Sequence, residues 1–251
     1  VNDNFVVIIP ARYASTRLPG KPLLDIAGRP LLQHVYDAAA ESAADAVYIA
    51  TDDERIVELA GTFGARALIT GRNHQSGTDR LAEAARRLQL DDDSIIVNLQ
   101  GDEVGMSARV INQVTRLLQT NTSANMATVC EALDNAAQIR DPHVVKVVMD
   151  RHGRALYFSR SVIPWSATVD NISASTVVRW YKHIGLYAYR AGFLQRFTAL
   201  GACALEQQES LEQLRALYHG ETILVEPACD KTGIGVDTPE DLERARKMFG
   251  G

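Results

Sequence analysis

Four apolar runs punctuate the first hundred residues, at 5–9, 47–50, 67–69 and 95–99. The first, FVVII, shows no alternation of polar and apolar positions, the pattern of a parallel strand covered on both faces. Between and after the runs, apolar residues recur at helical spacing over 30–42, 54–63, 80–88 and 108–119. Ile56, Leu59, Ala60 and Phe63 make one such apolar face and predict core contact. This β-α-β-α order predicts an α/β fold: a Rossmann-like, mostly parallel sheet with helices on both faces. After Met126 the segments shorten, to 144–149, 155–158 and 184–189, with a polar stretch at 166–176. That spacing predicts antiparallel strands that extend the sheet or form a smaller lobe over the site, with 166–176 a mobile loop. A last helix is signalled by Thr238-Pro239-Glu240-Asp241: a good N-cap, a proline suited to the first turn, and acids that complement the positive helix end.

At 251 residues, 46% hydrophobic and 23% charged, the chain has the balance of a globular protein with a sizeable core, and one large domain is expected. A net charge of −5 leaves no generally basic surface, so no nucleic-acid partner is expected. Cys130, Cys203 and Cys229 are widely spaced and odd in number. They fit neither a disulfide framework nor a structural zinc site, and point to a reducing cytoplasm. With no signal-peptide pattern and no apolar run of about 18 residues, membrane insertion is not expected.

Candidate chemistry begins directly after the first run. Arg12, Arg17 and Lys21 crowd a loop that also holds Ser15, Thr16 and Gly20, at what the pattern makes the carboxyl end of a buried strand. Cations beside freely approaching backbone N–H groups suit polyphosphate. The loop is not a Walker A motif, because Gly20-Lys21 is followed by Pro22 and Ser15 stands at the position of the first glycine. Nor does it carry the three glycines of the dinucleotide fingerprint. Gln100-Gly101-Asp102-Glu103 follows the fourth run; a carboxylate there can hold Mg²⁺, although Gly-Asp is also a common turn. Asp237 supplies a second carboxylate just ahead of the last helix, where Thr238 can already serve as the cap. His74-Gln75-Ser76-Gly77-Thr78-Asp79-Arg80 reads either as a helix cap or as a segment that lets a ligand approach the backbone at Gly77.

Seven blocks in order carry a resemblance: PARYASTRLPGKPL (10–23), HQSGTDR (74–80), VNLQGDE (97–103), ALYFSR (155–160), KHIGLYAY (182–189), LEQLR (211–215) and GVDTPEDLE (235–243). Together they resemble the 3-deoxy-manno-octulosonate cytidylyltransferases, and they span nearly the whole chain. The resemblance implies a sheet of the nucleotide-diphospho-sugar transferase type and transfer of CMP from CTP to 3-deoxy-manno-octulosonate (Kdo) with Mg²⁺. Residues 1–251 form a single domain on this reading. About 1–125 bind nucleotide, about 126–235 bind sugar and mediate a homodimer, and 236–251 close the fold. Arg12, Arg17, Lys21, Ser76, Gly77, Thr78 and Arg80 are implied on the nucleotide, and Asp102 and Asp237 on the metal. Gln100, Arg160, His183, Tyr187, Glu212 and Gln213 are implied around the sugar, while His34, His143, His152 and His219 match no site position. The reaction roles fall to Lys21, Arg12, Asp102 and Asp237, and no residue is assigned as general base. One departure stands out: family members usually continue QGDE with Pro-Leu/Met-Ile-Pro, and this chain has Val104-Gly105-Met106-Ser107. Loss of two prolines and gain of a glycine predict a more flexible, substrate-facing loop. That leaves open a modified Kdo, another sugar acid or a catalytically weak homologue.

Overall fold

The structure, a computed structural model, describes residues 4–14, 18–74, 76–167, 169 and 179–250. In chain order its strands are β1 (Phe5–Ala11), β2 (Asp25–Ile26), β3 (Arg29–Pro30), β4 (Ala46–Thr51), β5 (Arg66–Ile69), β6 (Ile95–Asn98), β7 (Glu103–Met106), β8 (Met126–Leu133), β9 (Lys146–Met149), β10 (Ala155–Ser159), β11 (Trp180–Arg190), β12 (Ile223–Pro227) and β13 (Thr232–Gly235). Its helices are α1 (Leu31–Ala40), α2 (Glu54–Thr62), α3 (Gly77–Arg87), α4 (Ala108–Thr120), α5 (Ala136–Arg140), α6 (Ala191–Ala199), α7 (Ala204–Glu209), α8 (Gln213–Tyr218) and α9 (Pro239–Phe249), with a 3₁₀ turn at Lys21–Leu23.

The main sheet runs β10-β9-β11-β6-β1-β4-β5, with β8 added to β11 and β12 to β8. β1 pairs in parallel with β4 and β6, and β4 with β5. The predicted first half is thus the observed one, and its physical cause is visible in β1. Phe5, Val7, Ile9 and Ala11 pack into one buried cluster and Ile8 into another, so the unbroken apolar run feeds both faces. Helices α1, α2, α4 and α9 cover the first face; α3, α6 and α8 cover the second. Ile56 and Ala60 are buried on the first face, with Leu59 and Phe63 packed against it.

Beyond Met126, β11 runs antiparallel to β6, β8 and β9, and β10 to β9, whereas β12 is parallel to β8. The strands of this half extend the one sheet, and two small antiparallel pairs, β7–β13 and β2–β3, flank it. Among the described residues no helix is long and apolar enough to cross a membrane.

Two expectations change, and a third falls outside the described residues. Helix α3 starts at Gly77, ahead of the expected residue 80, because Ser76 caps it and Asp79 completes a reciprocal capping box. The polar stretch 166–176 lies for the most part outside the described residues. Finally, 104–107 is not a flexible loop. Residues 103–106 form β7 on β13, Val104 and Met106 are buried, and Ser107 caps α4. Gly105 takes φ 79° there, a left-handed conformation that glycine adopts without strain. With Val104 and Met106 turned into the core, the altered residues give no ground for a modified acceptor.

Candidate active site

Where β1 and β6 end side by side, the chain leaves a cleft of about 370 Å³ lined by Pro10, Ala11, Arg12, Lys21, Gly77, Gln100, Gly101, Asp102 and Asp237, among others. Open α/β sheets bind ligands at this end because the loops diverge there. Lys21 reaches it from the 3₁₀ turn, which Gly20 enters at φ 67°. Its Nζ lies 2.5 Å from Asp102 Oδ2 and 3.0 Å from Asp237 Oδ1. Burial alone pulls the Lys21 ammonium down, but Asp102 and then Asp237 outweigh it, so its pKa is raised and the charge is kept.

The backbone explains this convergence. A Cβ on Gly101 would stand 2.7 Å from the Pro10 carbonyl oxygen, so a side chain there would force β1 and the Asp102 loop apart. Asp237 is held by the Val236 N–H, which donates to Asp102 O at 3.0 Å. The capping box of α9 is completed by Thr238 and Asp241. Thr238 therefore caps the helix, and the Asp237 carboxylate faces Lys21. Beside Asp102, burial and then the Asp102 charge push Glu103 up to about 7.

The other residues that the resemblance implied on the nucleotide divide. The Arg12 guanidinium donates to the His74 carbonyl at 3.1 Å from the wall of the cleft. Arg17, with Ser15, Thr16 and Gln75, lies outside the described residues. Gly77 lines the cleft, Ser76 caps α3, and the Thr78 hydroxyl donates to Glu212 Oε2. Arg80 does not reach the cleft. It is wholly buried, with its guanidinium 2.8 Å from Asp52 Oδ2 and bonded to the Thr70 hydroxyl. Three positions after Gly77, Arg80 falls on the buried face of α3 and not on the cleft wall, so this geometry gives no support to its implied place on the nucleotide.

Of the residues the resemblance implied around the sugar, Gln100 donates through Nε2 to Asn98 Oδ1 at 3.3 Å. Asn98 and Thr78 both hydrogen-bond the Tyr189 side chain, and Thr78 passes on to Glu212. Gln100 and Glu212 are thereby tied into one polar chain. The His183 ring lies 5.2 Å from that of Tyr187 and 5.1 Å from that of Phe158. Burial, with Lys182 adding to it, pushes His183 down to about 3, so the imidazole is neutral. Tyr187 Oη and Gln213 Nε2 are buried and have no hydrogen-bond partner; a buried polar atom left unpaired is costly unless a ligand completes it. Arg160 is held by backbone carbonyls, its Nε donating to Glu209 O at 2.8 Å and Nη1 to Pro142 O at 3.0 Å.

Two supporting residues escaped sequence reasoning. Lys146, fully buried on β9, donates to the carbonyls of Asp141, Val144 and Arg160 at 2.9, 2.6 and 2.6 Å. Asn98, also buried, anchors Gln100 and Tyr189. Each is a lone polar residue inside an apolar strand run, and that anomaly was the available signal.

Residues 6–223 match the family described as Cytidylyltransferase. The 3-deoxy-manno-octulosonate cytidylyltransferase of Hahella chejuensis is 51% identical over 249 residues, covering 98% of this chain and 97% of the relative. That of Pseudomonas fluorescens is 52% identical over 252 residues, covering 99% of each. A solved structure of CMP:2-keto-3-deoxy-manno-octonic acid synthetase complexed with CTP superimposes with a TM-score of 0.90 at 42% identity, over 98% of both chains. With half of its residues shared over essentially the full length of such relatives, the chain belongs to the 3-deoxy-manno-octulosonate cytidylyltransferases.

Proposed function

We propose that this protein transfers CMP from CTP to Kdo, releasing pyrophosphate, in the cytoplasm and as a homodimer. The observation that carries the reading is the convergence of Lys21, Asp102 and Asp237 in a cleft at the strand ends, open to a triphosphate. The sugar's anomeric hydroxyl attacks the α-phosphorus in line and pyrophosphate leaves, with no covalent enzyme intermediate. Such transfer depends on positioning and charge stabilisation more than on a protein nucleophile. Lys21, Arg12 and Arg17 hold the triphosphate and the departing pyrophosphate. Arg160, His183, Tyr187, Glu212, Gln213 and Gln100 surround the sugar acid, where Tyr187 Oη and Gln213 Nε2 gain their missing partners.

The donor set suits Mg²⁺, which takes one or two carboxylates and completes its shell with water and substrate phosphate oxygens. Asp102 and Asp237 offer two carboxylates aimed at one point, and no group of three or more ligands occurs among the described residues. Bound there, the ion would neutralise phosphate charge and lower the cost of oxyanion approach. The homodimer reading is supported by the large apolar side chains of Leu156 and Trp165, exposed on the second half of the chain.

Incubating the protein with CTP, Mg²⁺ and a panel of sugar acids, and measuring pyrophosphate release, tests the proposal. Kdo with CTP is expected to be the best pair. UTP or ATP outperforming CTP, or no release with Kdo, overturns it.

A further inference from the structure

Strand β11 does not run evenly along β8. Ile184 lies opposite Val129, but Tyr187 lies opposite Thr128, so Gly185 and Leu186 form a bulge. Residues four apart on a regular strand are separated by about 13 Å. The rings of His183 and Tyr187 are instead 5.2 Å apart, because the bulge sets them opposite neighbouring same-face positions, Cys130 and Thr128.

Thr128 is wholly buried, and its hydroxyl fills the bulge. Oγ1 lies 2.9 Å from Ile184 O, 2.8 Å from Leu186 O and 3.1 Å from His183 Nε2. A hydroxyl has one proton to give, and carbonyl oxygens can only accept. The proton therefore goes to the bulge carbonyls, and the third contact forms only if Nε2 carries hydrogen and donates to Thr128 Oγ1. Because burial keeps the ring neutral, Nδ1 is then bare and accepts.

We propose that Thr128 is a positioning and specificity-determining residue. It fixes the bulge and holds His183 in the Nε2–H tautomer, so that Nδ1 presents an acceptor that selects a hydroxyl donor on the sugar acid. The role in selection rests on the placement of His183 beside the sugar in the proposed function; the tautomer does not.

Nitrogen-15 NMR of the full chain labelled at histidine reads the tautomer directly. Wild type is expected to show a protonated Nε2 and an unprotonated Nδ1 at His183. Thr128→Val, similar in shape but lacking the hydroxyl, is expected to lose that preference and to raise the KM for Kdo about tenfold, the scale of one hydrogen bond. The KM for CTP should stay unchanged, and Thr128→Ser should return the tautomer and the sugar KM to wild-type values. A wild-type His183 protonated on Nδ1 overturns the proposal, as does a Thr128→Val protein that keeps both tautomer and sugar KM. If the valine variant does not fold, the wild-type spectrum decides. Absence of turnover on Kdo with the stated tautomer present overturns the proposed function and the role in selection, and separates that failure from failure of the geometry.

Discussion

Lys21 and Asp237 are 216 residues apart in the chain and 3.0 Å apart in space, with Asp102 on the same ammonium. Three stretches meet there, because β1 and β6 are neighbours in the sheet and the Val236 N–H fastens the last segment to Asp102 O. The ammonium prevents two carboxylates from facing each other uncompensated.

Asp102→Asn and Asp237→Asn are each expected to keep the fold and lose about 10²-fold or more in turnover. Lys21→Met should weaken CTP binding and lower the thermal midpoint, and Mg²⁺ should raise that midpoint more in the variant than in wild type, since the ion takes over the neutralising role. Melting curves with and without Mg²⁺ check this; an equal response in both proteins contradicts the metal assignment.

Arg160→Ala and His183→Ala are expected to raise the KM for Kdo and leave the KM for CTP nearly unchanged, because the proposed function sets both against the sugar acid and neither against the triphosphate. Steady-state kinetics with each substrate varied in turn separates the effects. A matching loss of CTP affinity would move these residues to the nucleotide side.

His183 makes the acid limb of stability predictable. Its folded pKa is about 3, against about 6.5 in an unfolded chain. Below 6.5 the unfolded form takes up a proton that the folded form refuses, so stability falls as pH drops from 6.5 towards 3. Between pH 7 and 5 this one residue should cost about 2 kcal/mol. Urea midpoints at the two pH values should therefore differ less in His183→Gln than in wild type, and an identical pH dependence would show that His183 is not buried neutral.

The segment after Glu103 is built against proline. Ser107 donates its N–H to Lys231 O at 3.0 Å and its hydroxyl to Asp230 Oδ2 at 3.0 Å, and it caps α4. Ser107→Pro is expected to cost about 2–4 kcal/mol, from the lost backbone bond and the lost cap. Gly105→Ala, forced to φ 79° with its Cβ 2.7 Å from Met248 Cε, should cost about 1–2 kcal/mol. Denaturant titration measures both; a stabilised Ser107→Pro would return this segment to the status of a mobile loop.

The parallel half of the sheet was legible because β1, β4 and β6 bury side chains on both faces, so sequence alone marks them by unbroken apolar runs, and edge strand β5, which has no fully buried residue, was read from a short apolar run alone. β11 was legible only in part: residues 184–189 are apolar enough to read, while Tyr181, Lys182 and His183 extend the strand with polar or half-buried side chains. β8 was missed although it lies next to β11, and α6 to α8 were missed because their helical pattern is short. The segment at 104–107 was misread because its order comes from β13, a partner far along the chain that local composition cannot reveal.

The sequence by itself determined the α/β class, the cation loop after β1, the carboxylates at 102 and 237 and, through seven ordered blocks, the family; these are properties of local composition and fixed spacing. Only the tertiary structure decided which cations reach the cleft, turning Arg80 inward onto Asp52 while Lys21 takes both carboxylates. It alone showed the bulge that lays His183 against Tyr187 and Thr128. Where a long polar side chain ends depends on which partners the packing of distant strands leaves within hydrogen-bonding distance, and that is not encoded in its neighbours along the chain.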